Sequence, residues 1–250
     1  MSDHSDRTTI VVGASRGLGR GIAAAFARAG APVVAVSRTA AAFAEPVNGD
    51  GTISPQIADA ADPRVAADVL ERYDPEVVVL VAGATPYMRP LQDQTWETFS
   101  VNWESDVRIA FHWLREALIK PLRPGSRVVV ISSGAALAGS PLSGGYAGAK
   151  ATQRFITDYA REESARAGLG ITFAAVLPRL TPLTDLGRPA VEGYAARAGV
   201  SEPEYIRQLG PPVSPEIAGA ALVELVDMDA STVAPAYLLT GAALQELTDH

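Results

Sequence analysis

Residues 128–150 read VVVISSGAALAGSPLSGGYAGAK, and the fold follows from how this stretch begins. Val128, Val129, Val130 and Ile131 are consecutive β-branched residues. A run that is apolar on both faces is what a central parallel strand, covered by helices above and below, requires. The strand delivers Ser132 and Ser133 to its carboxyl end. A loop of small residues follows, and then Tyr146 and Lys150. A helix starting near Gly145 places those two on one face, one turn apart. A hydroxyl, a phenol and an ammonium then converge on one point.

That set has a use. A free phenol ionises near pH ~10, too high for a base at neutral pH. A cation held nearby favours the phenolate. Lys150 supplies the field, Tyr146 moves the proton, and Ser133 holds the oxygen that receives it. Tyr-x-x-x-Lys alone is a weak pattern that a solvated helix face would also produce. Lysine usage sharpens it. The chain has 21 Lys plus Arg, and of these only Lys120 and Lys150 are lysines.

Composition excludes several classes. At 250 residues the chain suits one α/β domain, and 48% hydrophobic residues suffice for a large core. A net charge of −7 without a basic patch argues against a nucleic-acid partner. No cysteine is present, which removes disulfides and thiolate chemistry. The histidines are His4, His112 and His250, so a zinc site has almost no ligands. Residues 1–9 carry no apolar signal core, and the longest apolar run, 77–82, is too short for a bilayer. The expectation is a soluble, cytoplasmic protein with no membrane partner and no metal.

Strand and helix patterns alternate along the chain. Strands are expected at 9–12, 32–37, 52–57, 76–82, 126–132, 171–177 and 236–240. Helices are expected at 17–29, 63–73, 95–120, 145–167 and 216–226. Asp62 and Ser214 precede proline as helix caps. Residues 39–51 are Ala-rich and irregular. Residues 178–213 are rich in Pro and Gly and are expected to form short helices over a site. The alternation predicts an α/β fold: a doubly wound parallel sheet of about seven strands, forming a single domain over 1–250. Ligands of such sheets bind outside the carboxyl ends of the strands.

The first strand runs into Gly13-Ala14-Ser15-Arg16-Gly17-Leu18-Gly19. Glycines there permit a tight turn and close approach of backbone to a pyrophosphate, which the next helix meets with its N–H groups and positive dipole end. The spacing is G-x-x-x-G-x-G rather than the commoner G-x-G-x-x-G. The same residues match the G-x-S-x-G elbow of α/β hydrolases. That reading needs a later acid and histidine, and His112 falls mid-helix while His250 is terminal.

The glycine turn with Ser133, Tyr146 and Lys150 resembles the short-chain dehydrogenase/reductase family over nearly the whole chain. The family's serine lies thirteen residues before its tyrosine, which selects Ser133 over Ser132. Its tetrad asparagine matches Asn102, and the acidic residue that contacts adenine matches Asp59. The resemblance implies a Rossmann-like fold and hydride transfer between a nicotinamide cofactor and a carbonyl or alcohol. Tyr146 would exchange the proton, Ser133 would bind the substrate oxygen, Lys150 would bind the nicotinamide ribose and favour the phenolate, and Asn102 would anchor a relay water. Gly13, Ser15, Arg16, Gly17, Leu18 and Gly19 would cradle the cofactor, with Gly83 beside them.

The chain departs from the family at three points. Val12 stands where a threonine is usual. Leu80-Val81-Ala82-Gly83 replaces Asn-Asn-Ala-Gly. Pro178-Arg179 replaces Pro-Gly, the turn that holds the nicotinamide carboxamide, and the threonine that follows is Thr181 or Thr184. Arg179 is expected to contact cofactor or substrate, the alternative being a surface ion pair. The second strand ends Ala35-Val36-Ser37-Arg38 without the carboxylate that binds a ribose 2′-hydroxyl. Ser37, Arg38 and Arg16 instead suit a 2′-phosphate, so NADP(H) is the expected cofactor. Small apolar residues, among them Ala135, Ala136, Leu137 and Leu142, suggest an uncharged ketone or alcohol. The competing readings are a catalytically silent cofactor-binding regulator and a lyase or epimerase on the same scaffold. The family's dimerisation helices match 95–120 and 146–167, which implies a homodimer or homotetramer. Of Trp96, Trp103, Phe111 and Trp113, half are expected to face the core.

Overall fold

The computed structural model describes residues 4–39 and 51–248. Most of the irregular stretch 39–51 therefore lies outside the described residues. The strands are β1 (Thr9–Val12), β2 (Pro32–Ser37), β3 (Thr52–Ile57), β4 (Val77–Leu80), β5 (Arg127–Ile131), β6 (Thr172–Pro178), β7 (Ala236–Leu239) and β8 (Leu244–Glu246). They form one sheet in the order β3-β2-β1-β4-β5-β6-β7-β8. Every pairing is parallel except β7 with β8. The order reverses between β1 and β4, so a crevice opens outside their carboxyl ends.

The central strands β1, β2, β4 and β5 are buried on both faces, and their alternate residues feed two separate cores. Val11, Val33, Val79 and Val129 pack with Ile22, Phe26, Leu222 and Leu225 of α1 (Gly17–Arg28) and α9 (Pro215–Asp227). Ile10, Val34, Val78 and Val128 pack on the other face, against α2 (Pro63–Tyr73), α4 (Arg108–Ile119) and α6 (Gly144–Ala167). Both expected caps are formed: Asp62 accepts from Arg64 N–H at 2.9 Å and Ser214 from Ile217 N–H at 3.2 Å. Two further helices, α7 (Gly187–Ala198) and α8 (Glu202–Leu209), occupy the stretch expected to carry short helices.

Three expectations need refinement or correction. The sheet is close to the expected seven strands but has eight among the described residues, because Leu244–Glu246 adds an antiparallel edge to β7. A single helix over 95–120 is not formed. Instead α3 (Trp96–Asn102) passes into a π-helical turn at Trp103–Val107 before α4 begins. A short helix, α5 (Ala135–Ala138), also lies in the loop after β5. Finally, only Trp113 of the four aromatics is buried, whereas Trp96, Trp103 and Phe111 are exposed. Trp113 earns its place by filling the core under β4 and donating from Nε1 to Ala60 O at 3.1 Å.

No helix among the described residues is long and apolar enough to cross a membrane. Trp113→Ala is expected to lose ~3–5 kcal/mol of stability, because it opens a core cavity. At roughly 2–4 °C per kcal/mol for a chain of this size, thermal unfolding should start well below wild type. Trp96→Ala should melt within ~0.5 kcal/mol of wild type, since Trp96 is 72% exposed. Equal melting of the two variants contradicts this core.

Candidate active site

One cavity of about 910 Å³ runs along the carboxyl edge of the sheet, from the Gly13–Gly19 turn past Ser133, Tyr146 and Lys150 to the underside of α7 and α8. That volume lies near the upper end for small-molecule and cofactor sites.

At one end lies the glycine turn. Gly13 has φ +92, and a Cβ added there would stand 2.5 Å from Ala82 N, so only glycine lets β1 turn this close to the end of β4. The turn leads into α1, whose N-cap, Arg16, is extended and makes no side-chain cap. The first turn of α1 contains no acidic residue. Its N–H groups and dipole therefore suit an anion at the cavity wall. Ser37 is buried, with its hydroxyl donating to Thr39 O at 2.7 Å, while Arg38 beside it is exposed. Arg16 reaches across the mouth to Asp185 at 3.9 Å, an exposed pair of little energetic weight. Asp59 also lines the cavity, and its carboxylate accepts from Ala61 N–H at 3.1 Å.

The middle of the cavity is built by β5 and α6. Ser132 N–H donates to Val176 O at 2.8 Å, and Gly134 N–H to Pro178 O at 2.9 Å, which locks the end of β5 onto β6. The adjacent serines have separate fates. Ser132 is buried and its hydroxyl donates to the Lys150 carbonyl at 2.8 Å, tying strand to helix. Ser133 Oγ accepts only a 3.2 Å bond from Ala135 N–H among the described residues. Lys150 is buried, with Nζ 5.6 Å from the centroid of the Tyr146 ring. It donates to Ile131 O at 3.2 Å and to Gln153 Oε1 at 2.9 Å.

Of the four residues matched to the tetrad, Asn102 is the one that does not line the cavity. It is buried, and Nδ2 donates to Ala84 O at 2.8 Å and to Asp106 Oδ1 at 3.2 Å. Gly83, Pro178, Arg179 and Thr181 all line the cavity. Arg179 is exposed, its backbone N–H bonded to Leu239 O at 2.9 Å, and no carboxylate pairs with its side chain among the described residues. Thr181 is buried and accepts from Leu183 N–H, whereas Thr184 caps the start of α7 by accepting from Gly187 N–H at 3.0 Å. No histidine lines the cavity among the described residues, which leaves Ser15 without the base that a hydrolase elbow needs.

Residues missed by the sequence reading stand in the middle and at the far end. Asp106, on the π turn, is buried and 3.2 Å from Lys150 Nζ. The available signal was its spacing from Ile109, Ala110 and Trp113, which puts an acid on the buried face of the helix. At the far end Tyr194 and Tyr205 stack with centroids 6.4 Å apart. The Tyr194 hydroxyl is hydrogen-bonded to Ser140 Oγ, which also contacts Ser143 Oγ at 2.5 Å. Burial, and then the neighbouring Tyr194, push the Tyr205 phenol above its ordinary range, so it stays neutral. Met88, Leu137 and Leu209 complete an apolar mouth.

Comparison with known proteins fits this geometry. The family model described as short chain dehydrogenase matches residues 7–195, which spans the glycine turn, the β5 serines and the Tyr146 helix. The chain belongs to the short chain dehydrogenase family. Among its relatives is a hydroxynaphthalene reductase-like protein of Metarhizium majus, 30% identical over 183 residues, 69% of this chain and 67% of that protein. A short-chain type dehydrogenase/reductase of Picea abies is 31% identical over 223 residues, 80% of each chain. A 3beta-hydroxysteroid dehydrogenase of Mediterraneibacter gnavus is 29% identical over 205 residues, 74% of this chain and 70% of that one. The solved structure of a short chain dehydrogenase from Mycobacterium avium superposes with a TM-score of 0.75 at 22% identity, covering 100% of this chain and 87% of that one. The chain is thus an oxidoreductase of a family that uses a nicotinamide cofactor and small-molecule substrates. The glycine turn and uncapped helix start fit the cofactor's pyrophosphate.

Ser132→Ala is expected to lower stability by ~1 kcal/mol through loss of a buried hydrogen bond. Thermal unfolding measures it. A melt equal to wild type contradicts the tie between β5 and α6.

Proposed function

We propose that this chain transfers hydride between NADP(H) and an uncharged, apolar carbonyl or alcohol, with Tyr146 as the general acid and base. The observation that carries the reading is that Ser133, Tyr146 and Lys150 line one cavity together with the glycine turn, with Lys150 Nζ 5.6 Å from the centroid of the Tyr146 ring. The nicotinamide supplies the hydride when bound. The chain's own part is to hold and protonate. Ser133 Oγ, free of strong bonds to the protein, donates to the substrate oxygen. Tyr146 Oη gives that oxygen a proton in reduction and takes one in oxidation. Lys150 holds a charge beside the phenol that favours phenolate. Asn102 acts from behind, bonded to Ala84 O, which fixes the loop after β4.

The phosphate end favours NADP(H) over NAD(H). Ser37 and Arg38 end β2 without a carboxylate, and Arg16 stands across the same mouth. A planar guanidinium matches a 2′-phosphate through two parallel hydrogen bonds. The far end supports the substrate class. Its walls are Met88, Leu137, Leu209 and the stacked tyrosines, and burial holds the Tyr205 phenol above its ordinary range. Arg179 points the reading further, toward a contact with cofactor or substrate in the turn after β6.

In this reading 1–250 work as one dinucleotide-binding and catalytic domain, with residues 178–213 closing over the substrate. Members of the family are typically oligomeric. The exposed Trp96, Trp103 and Phe111, on α3, the π turn and α4, with Phe155 and Tyr159 of α6, support pairing through residues 95–120 and 146–167.

Tyr146→Phe tests the mechanism. Turnover should fall by ~100-fold or more, with cofactor affinity nearly unchanged, because only the proton is lost. Near-normal turnover sinks it. Arg38→Ala tests the cofactor. A charge-assisted contact is worth roughly 1.5–3 kcal/mol, so NADP(H) binding should weaken about ten- to a hundred-fold while NAD(H) binding stays the same. Tighter NAD(H) than NADP(H) binding by the wild type refutes the assignment. Arg179→Ala should raise a Michaelis constant for cofactor or substrate, and unaltered values for both return Arg179 to the surface.

A further inference from the structure

Lys150 carries three N–H donors and is 5% exposed. Ile131 O and Gln153 Oε1 take two of them. The remaining neighbour is a carboxylate, Asp106 Oδ2, at 3.2 Å. A buried ammonium is costly without a counter-charge, and so is a buried carboxylate.

Asp106 is built into this place. It is 1% exposed. Its Oδ1 accepts from Ala84 N–H at 2.8 Å and from Asn102 Nδ2 at 3.2 Å. Its backbone carbonyl accepts from Gln153 Nε2 at 2.8 Å, the same glutamine whose Oε1 binds Lys150. Among the described residues Oδ2 receives no hydrogen bond and meets Lys150 as an ion contact. A Cβ at residue 83 would stand 2.5 Å from Oδ2, so Gly83 leaves the room the carboxylate needs. Where the family has Asn-Asn-Ala-Gly after the fourth strand, this chain has Leu80-Val81-Ala82-Gly83, and Asp106 now secures the loop.

We propose that Asp106 is the counter-ion of Lys150, and thereby a positioning residue that sets the pH at which Tyr146 exchanges its proton. The inference rests on the reading of Tyr146 as acid and base. A cation 5.6 Å from the phenol ring favours phenolate, and a carboxylate at its side takes back part of that field. Among the described residues, the other groups in contact with the pair carry no fixed charge. From α6 they are Tyr146 and Gln153, from α3 Asn102, from the loop after β4 the Ala84 backbone, and from β5 the Ile131 carbonyl. Glu104 and Arg179, which also line the cavity, are exposed and screened.

The test compares pH profiles of kcat/KM for wild type, Asp106→Asn, Gln153→Glu and Tyr146→Phe, alongside ultraviolet titration of tyrosinate with Tyr146→Phe as the blank. Asp106→Asn keeps the shape and removes the charge. Its limb governed by Tyr146 should move about one pH unit lower, in both oxidation and reduction, and the tyrosinate titration should move with it. Gln153→Glu adds a carboxylate beside Lys150 and should move both to higher pH, which gives a second sign to check if Asp106→Asn fails to fold. Profiles and titrations that coincide with wild type overturn the inference, since a purely structural brace would leave them in place. Undiminished activity of Tyr146→Phe overturns the proton-transfer reading instead, and the two failures are therefore distinct.

Discussion

Strand β5 is apolar on both faces, and a strand of that kind is stable only when helices cover it twice. The rest of the molecule satisfies that demand. Odd and even residues of β1, β2, β4 and β5 feed separate cores, one under α1 and α9, the other under α2, α4 and α6. Helices on both faces require parallel crossovers, and parallel crossovers bring all the carboxyl ends to one edge. Chemistry is confined to that edge because the two faces are already occupied.

Polar groups at the edge then divide into those that hold the structure and those left free. Ser132 spends its hydroxyl on the Lys150 carbonyl, and Asn102 spends its amide on Ala84 O. Ser133 and Tyr146 face the cavity. Lys150 belongs to both groups. It is fixed by Ile131 O and Gln153 and still lies beside the phenol, and the carboxylate of Asp106 makes its burial tolerable.

Much of this was legible in the sequence because it rests on local rules. Val128–Ile131 announces a strand by β-branching, and Asp62-Pro63 and Ser214-Pro215 announce helix starts by capping. Gly13, Gly17 and Gly19 mark a turn that only glycine can make. What stayed hidden depends on partners distant in the chain. Leu244–Glu246 has no apolar alternation, and becomes a strand only because β7 offers an edge: Tyr237 pairs with Glu246 and Leu239 with Leu244. The π turn at Trp103–Val107 has no composition of its own. It coincides with the bonds that Asn102 and Asp106 make to the loop after β4, eighteen and twenty-two residues upstream. Asp106 stands out in the sequence only by its place on the stripe of Ile109 and Trp113. The stacked tyrosines of the mouth come together across the loop between α7 and α8, which has no periodic signal.

The central claim is that this edge performs hydride transfer and does not merely hold a cofactor. The most direct measurement offers wild-type protein a panel of uncharged apolar carbonyls with NADPH deuterated at the transferred position, and examines the alcohols by mass spectrometry. The account predicts cofactor oxidation matched by deuterium on the carbinol carbon. Tight NADPH binding with no deuterium transferred to any carbonyl would contradict it, and would leave the chain a binding protein on an oxidoreductase scaffold.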